Sequence, residues 1–160
     1  MVRRHERSIY RFLLRKHFPE DAQDITQETF LQAWKSLKNY DSRWEFSTWL
    51  FSIAYRVSAG FFRDKKRDVM RGAGRDAEML GRIPHPEKDS PEEKAGGGEF
   101  SGKNIWEIAR EVLSEQQLAA IWMFYVEEKS VREIAWIMKR TEVGVKMLLF
   151  RGRKKLRRYF

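Results

Sequence analysis

Residues 81–102, GRIPHPEKDSPEEKAGGGEFSG, hold three of the four prolines and five of the ten glycines in a chain of 160 residues. Proline removes a backbone donor, and glycine raises the entropy cost of ordering, so neither helix nor strand is expected to run through this stretch. Hydrophobic periodicity fails over the wider span 68–103, which reads as a flexible linker. Two short segments remain to fold, 1–67 and 104–160, each small enough to depend on close helix packing for a core.

The first segment carries a helical period. Ile9, Phe12, Leu13 and Lys16 fall near one face, and Pro19 interrupts that run. Ile25, Phe30, Leu31, Trp34 and Leu37 then define an apolar stripe, with Ile25, Phe30 and Trp34 expected to turn toward the core. Asn39-Tyr40-Asp41-Ser42 is turn-like. Ser47 or Thr48 is the expected cap of a third helix bearing Trp49, Leu50, Ile53, Ala54 and Val57, which runs through Phe61 and Phe62 into RDKKR.

The second segment repeats the pattern. NIWEIAREVL is one amphipathic helix, and Ser114 with Gln117 forms a capping box opening the next. A second capping box, Ser130 with Glu133, opens a short helix that ends near Lys139-Arg140, where a turn glycine would often stand. Thr141 caps a last helix with a seam of Val145, Leu149, Gly152 and Leu156. No β pattern competes, so the fold class is all-α: two small helical domains on a linker.

Two short helices joined by a tight turn, the second one basic, spell a helix-turn-helix. With the seam turned inward, Lys146, Met147, Phe150, Arg151, Arg153 and Lys154 lie on or beside the open face of the second helix. Lysine and arginine there reach guanine edges or phosphates, Met147 or Phe150 reaches a thymine methyl, and the helix N-terminus at Thr141 offers N–H groups to a phosphate. Charge placement agrees. Residues 141–160 carry seven basic side chains against one acidic, and 63–75 carry six against two. Residues 76–103 between them carry four against seven, so two basic blocks flank an acidic connector, which suits two contacts with one polyanion.

Other classes lose ground on the same reading. The chain has no cysteine, hence neither disulfides nor thiolate metal sites, which suits a reducing cytoplasm; His5, His17 and His85 show no ligand spacing. No apolar run reaches membrane-spanning length, and no signal-peptide pattern opens the chain. Carboxylate clusters with metal spacing and glycine-rich phosphate loops are missing, so neither a cofactor nor an enzymatic reaction is expected. Against the net charge of +9, DITQETFLQAW at 24–34 places Asp24, Gln27 and Glu28 on one helix face. By itself that acidic face is explained by the helix dipole.

Taken in order, these segments resemble a known family. DAQDITQETFLQAWKSLKNYD and FSTWLFSIAYRVSAGFFRDKKR resemble region 2 of bacterial RNA polymerase sigma factors of the extracytoplasmic-function (ECF) type. LSEQQLAAIWMFYVEEKSVREIAWIMKRTEVGVKMLLFRGRKKLRR is similar to region 4 of the same group, so the likeness spans about residues 9–67 and 104–158. The resemblance implies a promoter-specificity subunit without its own catalytic site. It further implies a partnership with core RNA polymerase, through the clamp helices of the largest subunit and the flap of the second-largest, and with promoter DNA. It also implies an anti-sigma factor that masks the polymerase-binding surfaces.

Carried over by motif, Asp24, Gln27 and Glu28 match the polymerase-binding surface. Residues 39–46, NYDSRWEF, match the loop that captures a flipped minus-ten base. Tyr40 and Trp44 would stack, Asn39, Asp41 and Ser42 would bond base edges, and Arg56, Arg63, Lys65 and Lys66 would follow phosphates. Phe46 and Trp49 are expected to be buried instead. Region 4 would read the minus-thirty-five element. The chain departs from the family at Ser47, where a basic residue is frequent, at Arg56, where asparagine is frequent, and at Met147 and Leu148, where small polar or basic residues are frequent. These departures leave the promoter sequence open. The alternative is a stand-alone regulator that dimerises on a palindrome, against which DITQE and the aromatic loop both weigh.

Overall fold

The computed structural model describes residues 2–71 and 104–159. Region by region, the chain forms α1 (Val2–Leu14), α2 (Pro19–Lys35), a 3-10 turn (Leu37–Asn39) and α3 (Phe46–Arg71). After the break come α4 (Ile105–Val112), α5 (Glu115–Tyr125), α6 (Val131–Met138), α7 (Glu142–Leu156) and a closing 3-10 turn (Arg157–Tyr159). No strand occurs among the described residues, in keeping with the all-α reading. The expected linker lies outside the described residues except for its first four positions, 68–71, over which α3 is still helical.

The first three helices enclose Ile9, Phe12 and Leu13 of α1, Ala22 and Ile25 of α2, and Leu50, Phe51, Ile53 and Ala54 of α3, all buried. Phe12 and Phe51 meet edge to face, with centroids 5.2 Å apart. The inward face of α2 differs from the expected one. It consists of Ala22, Ile25, Thr26, Thr29 and Ala33, residues that recur at helical spacing. Their two buried hydroxyls are satisfied locally: Thr26 donates to the Ala22 carbonyl at 2.6 Å and Thr29 to the Ile25 carbonyl at 2.7 Å. Trp34 follows Ala33 by one position, a rotation of roughly 100° on a helix of 3.6 residues per turn, and so leaves the core. It is 78 % exposed, with Leu31 at 47 % and Leu37 at 48 %, while Phe30 is half-buried.

The start of α3 also differs. The helix begins at Phe46, ahead of both expected caps, and its first internal bond runs from Trp49 N–H to the Glu45 carbonyl at 3.0 Å. Ser47 and Thr48 are thereby free to bond outward, across to the second half of the chain.

In that half the expected caps are in place. Ser114 accepts from Gln117 N–H and Ser130 from Glu133 N–H, each with the reciprocal bond that completes a capping box, and Thr141 accepts from Gly144 N–H. Helix α6 ends on Lys139, whose backbone is left-handed (φ 52°, ψ 49°). The Arg140 N–H reaches the Ala135 carbonyl at 2.9 Å and the Lys139 N–H reaches that of Trp136 at 3.3 Å, the bond pattern of a Schellman turn. This turn sets α7 against α5 and α6, with Val145, Leu149 and Gly152 buried. Gly152 is a point of close approach: a Cβ there would lie 2.5 Å from Ile121 Cδ1.

Two outcomes follow from these placements. Lys139→Gly relieves the left-handed strain of an exposed side chain and should raise the stability of the helix-turn-helix by about 1 kcal/mol in chemical denaturation. His17 is buried, bonded to Ser58 Oγ at 2.7 Å and stacked on Phe62, and burial together with Lys16 and Arg15 holds its pKa down at about 3. The unfolded chain then binds a proton that the folded one refuses. Stability should therefore fall as pH drops below 6.5, at a slope approaching 1.4 kcal/mol per pH unit. His17→Gln should flatten that slope between about pH 6.5 and 5, measured by thermal unfolding.

Candidate nucleic-acid interface

Helix α2 presents Asp24, Gln27 and Glu28 together on its exposed side, Glu28 accepting from Gln32 Nε2 at 3.0 Å. The same face continues through Leu31 and Trp34, at helical spacing from Asp24 and Gln27. It is therefore an acidic and amide surface that ends in exposed apolar side chains. The sequence pattern had set Leu31 in the apolar stripe and turned Trp34 toward the core; both are exposed instead. The signal that separates them is the Ala-Ile-Thr-Thr-Ala register of the opposite face, whose small residues give the neighbouring helix a close seat. Beside the face, Arg3, Arg7, Tyr10, Gln23 and Gln27 help line a cleft of about 400 Å³ between α1 and α2.

The loop 39–46 is an ordered aromatic knot. Tyr40 donates its hydroxyl to the Trp44 carbonyl at 2.7 Å and packs edge-on against Phe46 and Trp49, at 5.8 and 5.2 Å between centroids. Trp49 is buried and Phe46 half-buried, close to expectation. Asp41 is held by Arg43, whose Nε lies 3.0 Å from each carboxylate oxygen and whose Nη2 lies 2.7 Å from one. Those side-chain bonds, followed by the Arg43 backbone N–H, hold the Asp41 carboxyl below the usual carboxylate range. Asn39 and Ser42 are exposed.

Of the proposed phosphate followers, Arg56, Arg63 and Lys66 are exposed along α3, whereas Lys65 is paired with Asp21 at 2.9 Å. On α7, Lys146, Met147, Phe150, Arg151, Arg153 and Lys154 are all exposed, as is Thr141 at its N-terminus. Arg153 turns back toward α5, donating to the Tyr125 hydroxyl at 3.2 Å. Leu148 is half-buried against the core. The open face of α7 is thus a basic surface with three exposed apolar side chains, Val143, Met147 and Phe150, seated on the helices of the second half.

The family described as Sigma-70 region 2 matches residues 1–68, and that described as Sigma-70, region 4 matches residues 108–156. The chain is 31% identical over 156 residues to the ECF RNA polymerase sigma factor SigW of Bacillus subtilis, covering 93% of this chain and 79% of SigW. It belongs to the ECF sigma factors. SigM of the same organism is 28% identical over 156 residues, covering 93% of this chain and 86% of SigM. Among solved structures, the sigma factor RpoE of Bartonella quintana, crystallised with the anti-sigma factor NepR, shares the fold. Its TM-score is 0.75 at 19% identity, with 97% of this chain and 91% of that one covered.

As an ECF sigma factor, the chain directs promoter-specific transcription initiation with RNA polymerase, and its two regions are polymerase- and DNA-binding modules. Among the described residues no group of histidines and carboxylates is placed to hold a metal ion, and no helix is long and apolar enough to cross a membrane.

The site residues do not lie on independent bodies. Trp44 is covered by Trp136 of α6, the rings 4.9 Å apart and inclined by 22°. Lys129 donates to Ser47 Oγ at 2.6 Å and Thr48 donates to Glu133 Oε1 at 2.9 Å, so α3 and the start of α6 are joined directly. Burial pulls the Glu133 carboxyl upward, but bonds from Ser130 and Thr48 and the charge of Lys129 outweigh it and hold the group below its usual range. Glu133 therefore contributes to this junction when ionised, and the contribution is lost as pH falls through its lowered pKa. Thr48→Val should leave the Glu133 carboxylate short of one donor and lower stability by about 1–2 kcal/mol at pH 7, with a smaller deficit at acid pH, in denaturation curves.

Proposed function

We propose that residues 1–67 form the module that binds core polymerase and reads the minus-ten element, and that residues 104–160 form the module that reads the minus-thirty-five element. Asp24, Gln27 and Glu28 hold the clamp helices of the largest subunit. Leu31 and Trp34 extend that surface, because a large exposed aromatic beside charged and amide groups is the composition of an interface anchor. The observation that carries this reading is the continuous exposed face from Asp24 to Trp34 on the second helix of a region 2 fold.

In the melted promoter, Trp44 stacks on an extruded base, Tyr40 keeps the loop in shape, and Asn39, Ser42 and Asp41 bond base edges, Asp41 by exchanging its partner Arg43. Arg56, Arg63, Lys65 and Lys66 neutralise the backbone phosphates of that strand. In region 4, Lys146 and Arg151 read base edges of the minus-thirty-five element, Met147 and Phe150 supply apolar contact, and Thr141, Arg153 and Lys154 hold phosphates. The polymerase performs nucleotidyl transfer, and the sigma chain catalyses no step of its own. Its place of action is the cytoplasm, with the transcription machinery. The flap of the second-largest subunit is the further partner of region 4. An anti-sigma factor is the regulator, a proposal supported by the capture of the similarly folded RpoE with NepR.

Run-off transcription from a promoter library, with core polymerase and this chain, tests the reading. Promoter-specific transcripts should appear only when the chain is present. Gln27→Ala/Glu28→Ala should abolish them. Trp34→Ala should weaken binding to core polymerase by roughly tenfold or more, the range of an aromatic anchor, while leaving helix content unchanged. Specific transcripts that persist undiminished in the double variant would overturn the assignment of the α2 face.

A further inference from the structure

Val143 lies outside the reading face expected from the sequence, yet it is the most exposed apolar side chain of α7, at 69 % against 57 % for Phe150 and 42 % for Met147. The three stand at i, i+4 and i+7, which on a helix of about 3.6 residues per turn places them within roughly 60° of one another. Val145, Leu149 and Gly152, which pack inward, lie on the opposite side. The stripe is therefore the crest of α7, the line farthest from the core of its own region. Lys146 flanks the crest on one side and Arg151 on the other, and Lys154 closes its C-terminal end, all three exposed. None of these cations has an ion pair or a side-chain hydrogen bond among the described residues.

Apolar surface on the crest of a groove-binding helix is gainful only against something apolar. The major groove offers one such group, the methyl at C5 of thymine; the other base edges there present donors and acceptors. Cytosine carries hydrogen at that carbon, whereas 5-methylcytosine carries the thymine methyl at the same place. From Val143 to Phe150 the crest runs about 10 Å at about 1.5 Å per residue, the length of roughly three base-pair steps. A protein docked on the crest would also cover Lys146 and Arg151, and burying two unpaired cations is costly. The phosphate-lined walls of a groove neutralise them instead.

We infer that region 4 recognises C5 methyl groups of pyrimidines in the major groove, with Val143 as a further specificity residue beside Met147 and Phe150. This rests on the minus-thirty-five reading of α7 proposed above and names what that helix reads. The element then holds a run of about three A·T pairs whose methyls face the crest. At such a position 5-methylcytosine partly replaces thymine and unmethylated cytosine does not. Promoter choice is thereby sensitive to C5 methylation of the DNA.

The test uses the holoenzyme, core polymerase with the full chain, on a promoter recovered from the run-off library. Its minus-thirty-five element is remade with uracil for each thymine in turn, which removes only the methyl. Two further duplexes carry cytosine or 5-methylcytosine at the same positions, each paired with guanine. Uracil placed in the spacer between the two elements controls for altered DNA stiffness. Affinity is read by anisotropy of fluorescein-labelled duplexes, and circular dichroism confirms the helix content of each protein variant.

Each uracil under the crest should weaken binding about fourfold, the factor for one methyl-sized group returned to water, while spacer uracil changes nothing. The 5-methylcytosine duplex should bind about fourfold tighter per methyl than its cytosine counterpart. Val143→Ser should weaken binding to the thymine duplex and erase the uracil penalty at one base pair. Uracil without effect, 5-methylcytosine no tighter than cytosine, or a uracil penalty unchanged by Val143→Ser, Met147→Gln and Phe150→Ser alike would each overturn the methyl reading. Val143→Ser that weakens binding to core polymerase without DNA would make the crest a protein-docking surface and overturn it too. Failure of the underlying reading is separate: replacing the whole minus-thirty-five element by unrelated sequence would then leave holoenzyme binding unaltered.

Discussion

The first turn of α3 governs how the two halves of this sigma factor meet. Because the helix starts at Phe46, Ser47 and Thr48 are not spent on capping it, and their hydroxyls are available to Lys129 and Glu133 on the other region. Glu133 serves twice, closing its own capping box with Ser130 and accepting from Thr48. The group that defines where α6 begins is thus also the group that docks α6 on region 2. Local structure and inter-region contact share one carboxylate, and the stacking of Trp44 on Trp136 depends on that placement.

The same economy of face governs α2. A seam of alanine, isoleucine and self-satisfied threonines lets α2 pack against α1 and α3 with small side chains. The large residues Leu31 and Trp34 are left for the surface. A helix that buried its tryptophan here would have lost both close packing and an interface anchor, and the acidic and amide positions would have stood alone.

Much of this was legible in the sequence. Ser114, Ser130 and Thr141 announced their helices because a capping oxygen acts within three residues, a range that sequence shows directly. Val145, Leu149 and Gly152 gave the seam of α7, and Lys139 marked a turn that takes the left-handed backbone without a glycine. What failed had two causes. Trp34 and Leu31 were sorted by hydrophobicity, whereas their neighbours' small size decided which side of α2 could be packed. Ser47 and Thr48 resembled caps because their true partners lie more than eighty positions away, at Lys129 and Glu133. The pairing of Trp44 with Trp136 is of the same kind: it joins two distant positions that only the folded chain brings to one another.

The structure contains two close indole pairs, Trp44 with Trp136 between the two regions and Trp106 with Trp122 inside region 4, at 4.9 and 4.8 Å between centroids. Indoles at such separations share their electronic excitations, and each pair leaves its own signature in ultraviolet circular dichroism. Separation of the regions silences the first pair and leaves the second as an internal reference. The protein thus carries an optical gauge of its own conformation, with no dye attached.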